Sequence, residues 1–192
     1  MIEKSLTEIL DGHQKAFDAS FDAAHLEVLE QISREIIKTF KSGGKILICG
    51  NGGSAADAQH IAAEFIGRFK RERRSLPAIA LTTDTSILTA VANDYDYSKI
   101  FSRQVEGLGL KGDLLIGIST SGNSPNVLEA MIQAKAQGLF TVGFTGASGG
   151  KLKDASDLCY IAQSKKTPHV QEMHITALHA VSEVVEDVFF GA

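Results

Sequence analysis

The 192-residue chain, 44% hydrophobic, is long enough to bury one substantial core and slightly long for one small domain. Its net charge of −4 and pI near 5.9 provide no overall positive field, which argues against a nucleic-acid partner and leaves any small anion to local groups. No apolar run approaches the roughly 20 residues of a membrane span, and Cys49 and Cys159 both lie in apolar runs, where a reduced thiol packs as a small hydrophobe.

The opening MIEKSLTEILDGHQ is polar and amphipathic, without the apolar core of a signal peptide, so a cytoplasmic protein is expected. Residues 2–21 and 23–41 each read as an amphipathic helix, the second with Leu26, Leu29, Ile32, Ile36, Ile37 and Phe40 at three- and four-residue spacing. Gly43 and Gly44 then stop it. From there short β-branched runs alternate with helical ones: KILICG at 45–50, PAIALT at 77–82, DLLIGIST at 113–120, LFTVGFT at 139–145 and LCYIA at 158–162. Such near-continuous apolar strands, buried on both faces, predict a parallel sheet with helical crossovers. The crossovers fall at about 54–67, 85–92, 98–108, 125–137 and 150–154, and a last helix at 168–189. Pro77, Pro125 and Pro168 all sit at element starts, where they are tolerated.

The predicted architecture is α/β, a five-stranded parallel doubly wound sheet in a single domain, 1–192, with a helical hairpin at 1–42 and the sheet core and last helix at 43–192. The two leading helices are too long for that sheet alone to cover, which predicts packing on other subunits in a bundle, with an intrachain hairpin as the alternative.

Ligands of open parallel sheets bind beyond the carboxyl ends of the strands, and two segments there carry the chemistry. Gly50-Asn51-Gly52-Gly53-Ser54 leaves the first strand and opens a helix, offering close backbone approach and unpaired N–H groups to an anion. It resembles a dinucleotide fingerprint only loosely, since the acidic residue expected at the end of the second strand is missing, and no Gly-Lys-Ser/Thr makes it a nucleotide loop. Ser119-Thr120-Ser121-Gly122-Asn123-Ser124-Pro125 leaves the third strand, and its hydroxyls and helix-start N–H groups suit a phosphomonoester; ordinary capping accounts for one or two of the hydroxyls.

His60 and Glu64, four apart on one helix face, suit a shared cation or proton transfer, or are simply a satisfied surface pair. On the last helix Gln171, His174 and His179 recur beside Ile175, Leu178 and Val181, so packing is an alternative for the histidines. Gln171 and His179 are separated by roughly 12 Å along the axis and about 80° around it, so a single metal using both calls for more than one subunit. Asp57, one turn before His60, reads as a helix-start carboxylate favoured by the dipole, or as a group that orients the base. His13 and His25 read as structural, and the basic run Arg68, Lys70, Arg71, Arg73, Arg74 as a solvated surface rather than a nucleic-acid patch.

Taken jointly, CGNGGSAADAQHIAAEFIGR, LTTD, ANDY, FSRQVEGLG, IGISTSGNSPNV and QEMH resemble the phosphoheptose isomerases of the sugar isomerase (SIS) domain group, over nearly the whole chain. The resemblance implies a flavodoxin-like SIS sheet, conversion of sedoheptulose 7-phosphate to D-glycero-D-manno-heptose 7-phosphate for bacterial surface heptose, and a homotetramer with sites between subunits. It implies one Zn2+ per subunit on His60, Glu64, Gln171 and His179, and substrate contacts from Asn51, Gly52, Gly53, Ser54, Glu64, Asn93, Asp94, Ser119, Thr120, Ser121, Ser124 and Gln171. For the enediol chemistry of an aldose–ketose interconversion, Glu64 is assigned as base and His179 as acid. His169 stands where the family pattern carries arginine and receives no role. The alternative is a non-enzymatic replication-initiator-binding protein of the same fold, which lacks acid–base residues at the positions of Glu64 and His179; a sugar-phosphate-sensing regulator would want a DNA-binding extension, and none is visible.

Overall fold

The computed structural model describes residues 2–191, with side chains described for 5–191. Helices α1 (Ile2–Ser20) and α2 (Ala23–Lys41) lead into a β/α series: β1 (Ile46–Gly50), α3 (Gly53–Ile66), β2 (Ala78–Ala80), α4 (Thr85–Asp94), a 3-10 turn at Tyr97–Lys99, α5 (Ser102–Leu108), β3 (Leu114–Ser119), α6 (Pro125–Ala136), β4 (Phe140–Gly146), α7 (Gly150–Ala155), β5 (Leu158–Ala162) and α8 (Thr167–Phe190). The five strands form one parallel sheet in the order β2-β1-β3-β4-β5.

Strand alternation sends successive side chains to opposite faces. Ile46, Ile48, Ile116, Val142 and Phe144 join α2, α3 and α8 in one core, while Leu47, Cys49 and Leu115 join α5, α6 and Leu152 of α7 in the other. The central strands β1 and β3 are buried along their whole length, as their apolar runs predict. β2 departs from that expectation: it is an edge strand of three residues, and Ile79 is 37% exposed. The helix expected over 98–108 is split, because the Asp96 carboxylate accepts from Ser98 N at 2.8 Å and closes a separate turn before α5 starts.

Helix α2 starts at an Asp22 cap that accepts from His25 N at 3.0 Å, and stops where Gly43 turns to φ +82°, as the glycines predict. It buries Leu29, Ile32, Ile36 and Phe40 beside α8 and β5. Helix α1 packs on α8 and β5 through a narrow stripe that includes Ala16 and Ser20, and leaves Leu6, Ile9 and Leu10 more than half exposed. Both cysteines are free thiols that burial pushes up to about 12, consistent with inert packing groups. Among the described residues no helix is long and apolar enough to cross a membrane.

Candidate active site

Because β1 and β3 are neighbours, the loops that leave them lie side by side above the sheet. Gly50 packs so closely under Ser54 that a Cβ would come within 2.8 Å of its carbonyl oxygen, and Gly52 takes φ +57° to swing the chain into α3. Asn51 then faces Asn126 of α6 in a reciprocal amide pair, with N–H···O distances of 2.9 and 2.8 Å, and accepts from the Tyr97 hydroxyl at 3.3 Å. A cavity of about 320 Å³ opens between them, lined by Asn51, Tyr97, Ser124 and Asn126 among others. Asn126 and Tyr97 were not singled out in the sequence; an asparagine just inside a helix start was the only signal available.

The serine loop turns its hydroxyls toward one another. Ser119 Oγ lies 2.8 Å from Ser124 Oγ and 3.5 Å from Ser121 Oγ. Ser124 precedes α6 yet makes no side-chain cap, so capping does not account for it. The loop is held from behind: Leu152 N donates to Gly122 O at 2.9 Å, Lys151 N to Asn123 Oδ1 at 3.2 Å, and Gly122 (φ +66°) sits against the Gly149 carbonyl with no room for a side chain. Thr120 and Ser121 also line a hollow of about 170 Å³ with Ser164, Lys165 and Thr167. Ser54 is buried at the base of α3.

The titratable cluster lies where α3 and α8 run side by side in the same direction. His179 Nε2 is 2.9 Å from His60 Nε2, and His60 Nε2 is 3.2 Å from Glu64 Oε1. One ligand atom from each of His60, Glu64 and His179 lies within 4.8 Å of the others. Two imidazole nitrogens on a tetrahedral zinc, with Zn–N about 2.0–2.1 Å, stand about 3.3 Å apart, so the two rings need to open by only a few tenths of an ångström and the His60–Glu64 pair already has nearly that spacing. Burial, and then the neighbouring His60, hold the His179 imidazole below its ordinary value, with Glu64 opposing.

Gln171 lies at the other end of the same helix pair, its amide packed over Gly53, where a Cβ would collide with it. Seven residues separate Gly53 from His60, roughly 10 Å along the helix, so one chain gathers three of the four residues named for zinc and keeps Gln171 beside the glycine loop. Asn93 and Asp94 are exposed at the end of α4, where Asn93 Nδ2 donates to Asp94 Oδ1 at 2.8 Å and neither bonds the two loops among the described residues.

Asp57 Oδ2 is buried with no hydrogen-bond partner among the described residues, and burial pushes its carboxyl up to about 6 against the pull of His60. Desolvation therefore outweighs the favourable charges around this carboxylate. His174 is packed, as its apolar helix face allows; Nε2 bonds the Thr145 carbonyl at 3.0 Å, and burial pulls the ring down to about 4. His13 pairs with Glu172, His25 with Asp22, and His169 is buried edge-on to His13.

The basic run after α3 is exposed at Arg68, Lys70, Arg71 and Arg74, as its composition predicts, but Arg73 departs from that expectation. Arg73 and Glu186 form an ion pair at 2.7 Å with side chains 1% and 2% exposed, while Lys70 and Arg71 pair with Glu183 and Asp187 on α8. Burial works to raise the Glu186 carboxyl, but the backbone N–H of Lys70, the Arg73 side chain and further amides outweigh it and hold it below the usual range. These acids on α8 pair three of the five cations, which weakens the electrostatic case for nucleic acid there.

Residues 15–146 match the family model described as the SIS domain. A phosphoheptose isomerase of Roseiflexus sp. is 62% identical over 159 residues, covering 83% of this chain and 81% of the relative. One of Nitratiruptor sp. is 52% identical over 188 residues, covering 98% of each. The solved structure of a phosphoheptose isomerase from Neisseria gonorrhoeae superposes with a TM-score of 0.90 at 39% identity, over 97% of this chain and 100% of that one.

Proposed function

The chain belongs to the phosphoheptose isomerases of the SIS domain family, and from that premise we propose that it interconverts sedoheptulose 7-phosphate and D-glycero-D-manno-heptose 7-phosphate at the face where α3 meets α8. It is an aldose–ketose isomerase, and its product feeds the synthesis of ADP-heptose for the lipopolysaccharide core. The observation that carries the reading is the meeting of Glu64 and His179, from separate helices, within 4.8 Å of each other.

The serine loop anchors the phosphate through Ser119, Thr120, Ser121 and Ser124 with the α6 N–H groups, which places the sugar chain over Asn51, Gly52, Gly53, Ser54 and Gln171. Glu64 takes a proton from C1 of the ketose while His179 protonates O2, giving the enediol; return of a proton to C2 and loss of the O1 proton complete the aldose. Glu64 Oε1 lies 3.2 Å from His60 Nε2, and the second carboxylate oxygen is the one assigned to the carbon proton. His60, Glu64 and His179 would hold a zinc ion, with a neighbouring subunit's Gln171 as a further donor, and its charge would polarise the carbonyl and offset enediolate charge. The donor set of two imidazoles and a carboxylate is a zinc set.

Assembly as a homotetramer is part of the same reading. The apolar side chains that α1 leaves exposed, and α4, which buries no residue, are surfaces that a neighbouring subunit would cover. Asn93 and Asp94 would then reach a substrate across the subunit boundary. In this arrangement 1–192 is one SIS domain in the cytoplasm, its 1–42 segment serving assembly and its 43–192 segment the chemistry. The initiator-binding alternative has no support here, since Glu64 and His179 are both present.

Incubation with sedoheptulose 7-phosphate, followed by NMR for the aldose, tests the proposal. A wild-type protein that is inert with zinc supplied overturns it.

A further inference from the structure

The buried pair Arg73–Glu186 bonds no side chain of the cluster, yet its hydrogen bonds end on the backbone of Glu64 and of the segment that follows it. Arg73 donates to the carbonyl oxygens of Glu64 at 2.7 Å, Phe65 at 2.9 Å, Gly67 at 3.2 Å and Arg74 at 3.1 Å, and to Glu186 at 2.7 Å. Glu186 in turn accepts from the backbone N–H of Phe69 at 3.0 Å, Lys70 at 2.8 Å and Arg71 at 3.0 Å. The Phe69 ring lies 5.7 Å from the His179 ring.

Glu64 stands in the last turn of α3, where carbonyls lose their intrahelical partners and helices fray. A guanidinium on two of those carbonyls closes the turn and suits the negative end of the dipole. His179 and Glu186 are seven residues apart on α8, two turns along one face. The same ion pair therefore fixes the helix end that carries Glu64 to the helix that carries His179, and sets Phe69 against the imidazole.

Stability alone is a weak reason for such a pair. Desolvating two charges cancels much of their attraction, and well-packed apolar residues commonly do as well. What an apolar pair does not supply is directed bonds to chosen carbonyls and amides. Resting on the reading of the site above, we propose that Arg73 and Glu186 are positioning residues for the isomerisation, holding Glu64 and His179 at the spacing that proton transfer and metal binding require.

Arg73→Lys removes the planar fork, which no ammonium reproduces, and Glu186→Gln keeps size and one acceptor oxygen while removing the charge. Val105→Ala, in the core on the opposite face of the sheet, is the control for lost stability without lost positioning. Zinc affinity of metal-stripped protein, by competition with a chromogenic chelator, and kcat and KM for sedoheptulose 7-phosphate are measured on all of them. The two variants are expected to lose zinc affinity and kcat by about 10- to 100-fold, the range for groups that orient metal ligands, with KM within about threefold; Val105→Ala keeps zinc affinity and kcat at a comparable loss of melting temperature. Wild-type zinc affinity and kcat in a folded Arg73→Lys or Glu186→Gln protein overturn the inference, as does an equal fall in Val105→Ala. If Arg73→Lys does not fold, Glu186→Gln decides. If wild type isomerises but takes up no zinc, the metal part of the site reading fails and kcat alone decides this one.

Discussion

His60 and His179 stand 119 residues apart in the chain and bring their Nε2 atoms to 2.9 Å. One ligand atom of Glu64 lies within 4.8 Å of a nitrogen of each ring, so three donors from two helices are gathered at one place.

Glu64→Gln and His179→Gln are each expected to lower kcat by at least roughly 100-fold, the usual cost of a lost general acid or base. Both side chains are on the surface of their helices rather than in the core, so melting should match wild type. Aldose formation by NMR and thermal melting by circular dichroism check the two halves. Full activity in Glu64→Gln would remove the base assignment.

Metal-stripped protein is expected to take up one zinc per chain, and His60→Ala to weaken that uptake by more than the 10–100-fold typical of a merely supporting residue. Acidification should release the metal, since protons compete for both imidazoles. Isothermal titration at two pH values measures both effects, and unchanged affinity in His60→Ala would place the ion elsewhere.

Gly53→Ala tests the contact between the glycine loop and α8. Gly53 is not in the positive-φ region, so alanine fits its backbone, and the atoms nearest the new Cβ are the end of the Gln171 side chain. Displacing that amide is expected to raise KM roughly tenfold, about the worth of one good hydrogen bond, while melting stays within about 4 °C. A KM equal to wild type would show that Gln171 does not serve the substrate from this position.

The buried His174 predicts an acid-side loss of stability. Its ring is pulled from 6.5 to about 4 in the folded state, so folding excludes a proton that the unfolded chain binds. The contribution is intact above pH 6.5 and is lost as pH falls toward 4, with a total of about 3 kcal/mol. Asp57, pushed up to about 6, works in the opposite direction over the same range, so the informative quantity is the difference between wild type and His174→Gln, whose amide still reaches the Thr145 carbonyl. Melting temperatures from pH 7 to pH 4.5 should fall more steeply in wild type; parallel curves would mean that His174 titrates normally.

Much of this protein was legible one segment at a time. The five strands declared themselves because a strand buried on both faces needs an unbroken apolar run, and β1 and β3 have one. The two loops were recognisable because positive φ and clustered hydroxyls leave glycines and serines at strand ends. His60 and Glu64 were seen as a pair because four residues make about one helical turn.

Which distant residues meet was decided by the tertiary structure. The order β2-β1-β3-β4-β5 puts the glycine loop beside the serine loop and so makes the Asn51–Asn126 amide bridge. Packing α8 along α3 selects His179 for the cluster, buries His174 against the sheet and leaves Gln171 at the glycine loop. The same packing draws Arg73 out of a basic run that looks solvated and into the Arg73–Glu186 clamp. Periodicity, capping and turn chemistry act over a few residues and are written locally, whereas a contact between helices that lie 119 residues apart depends on how every intervening element stacks, and no short stretch of chain carries that information.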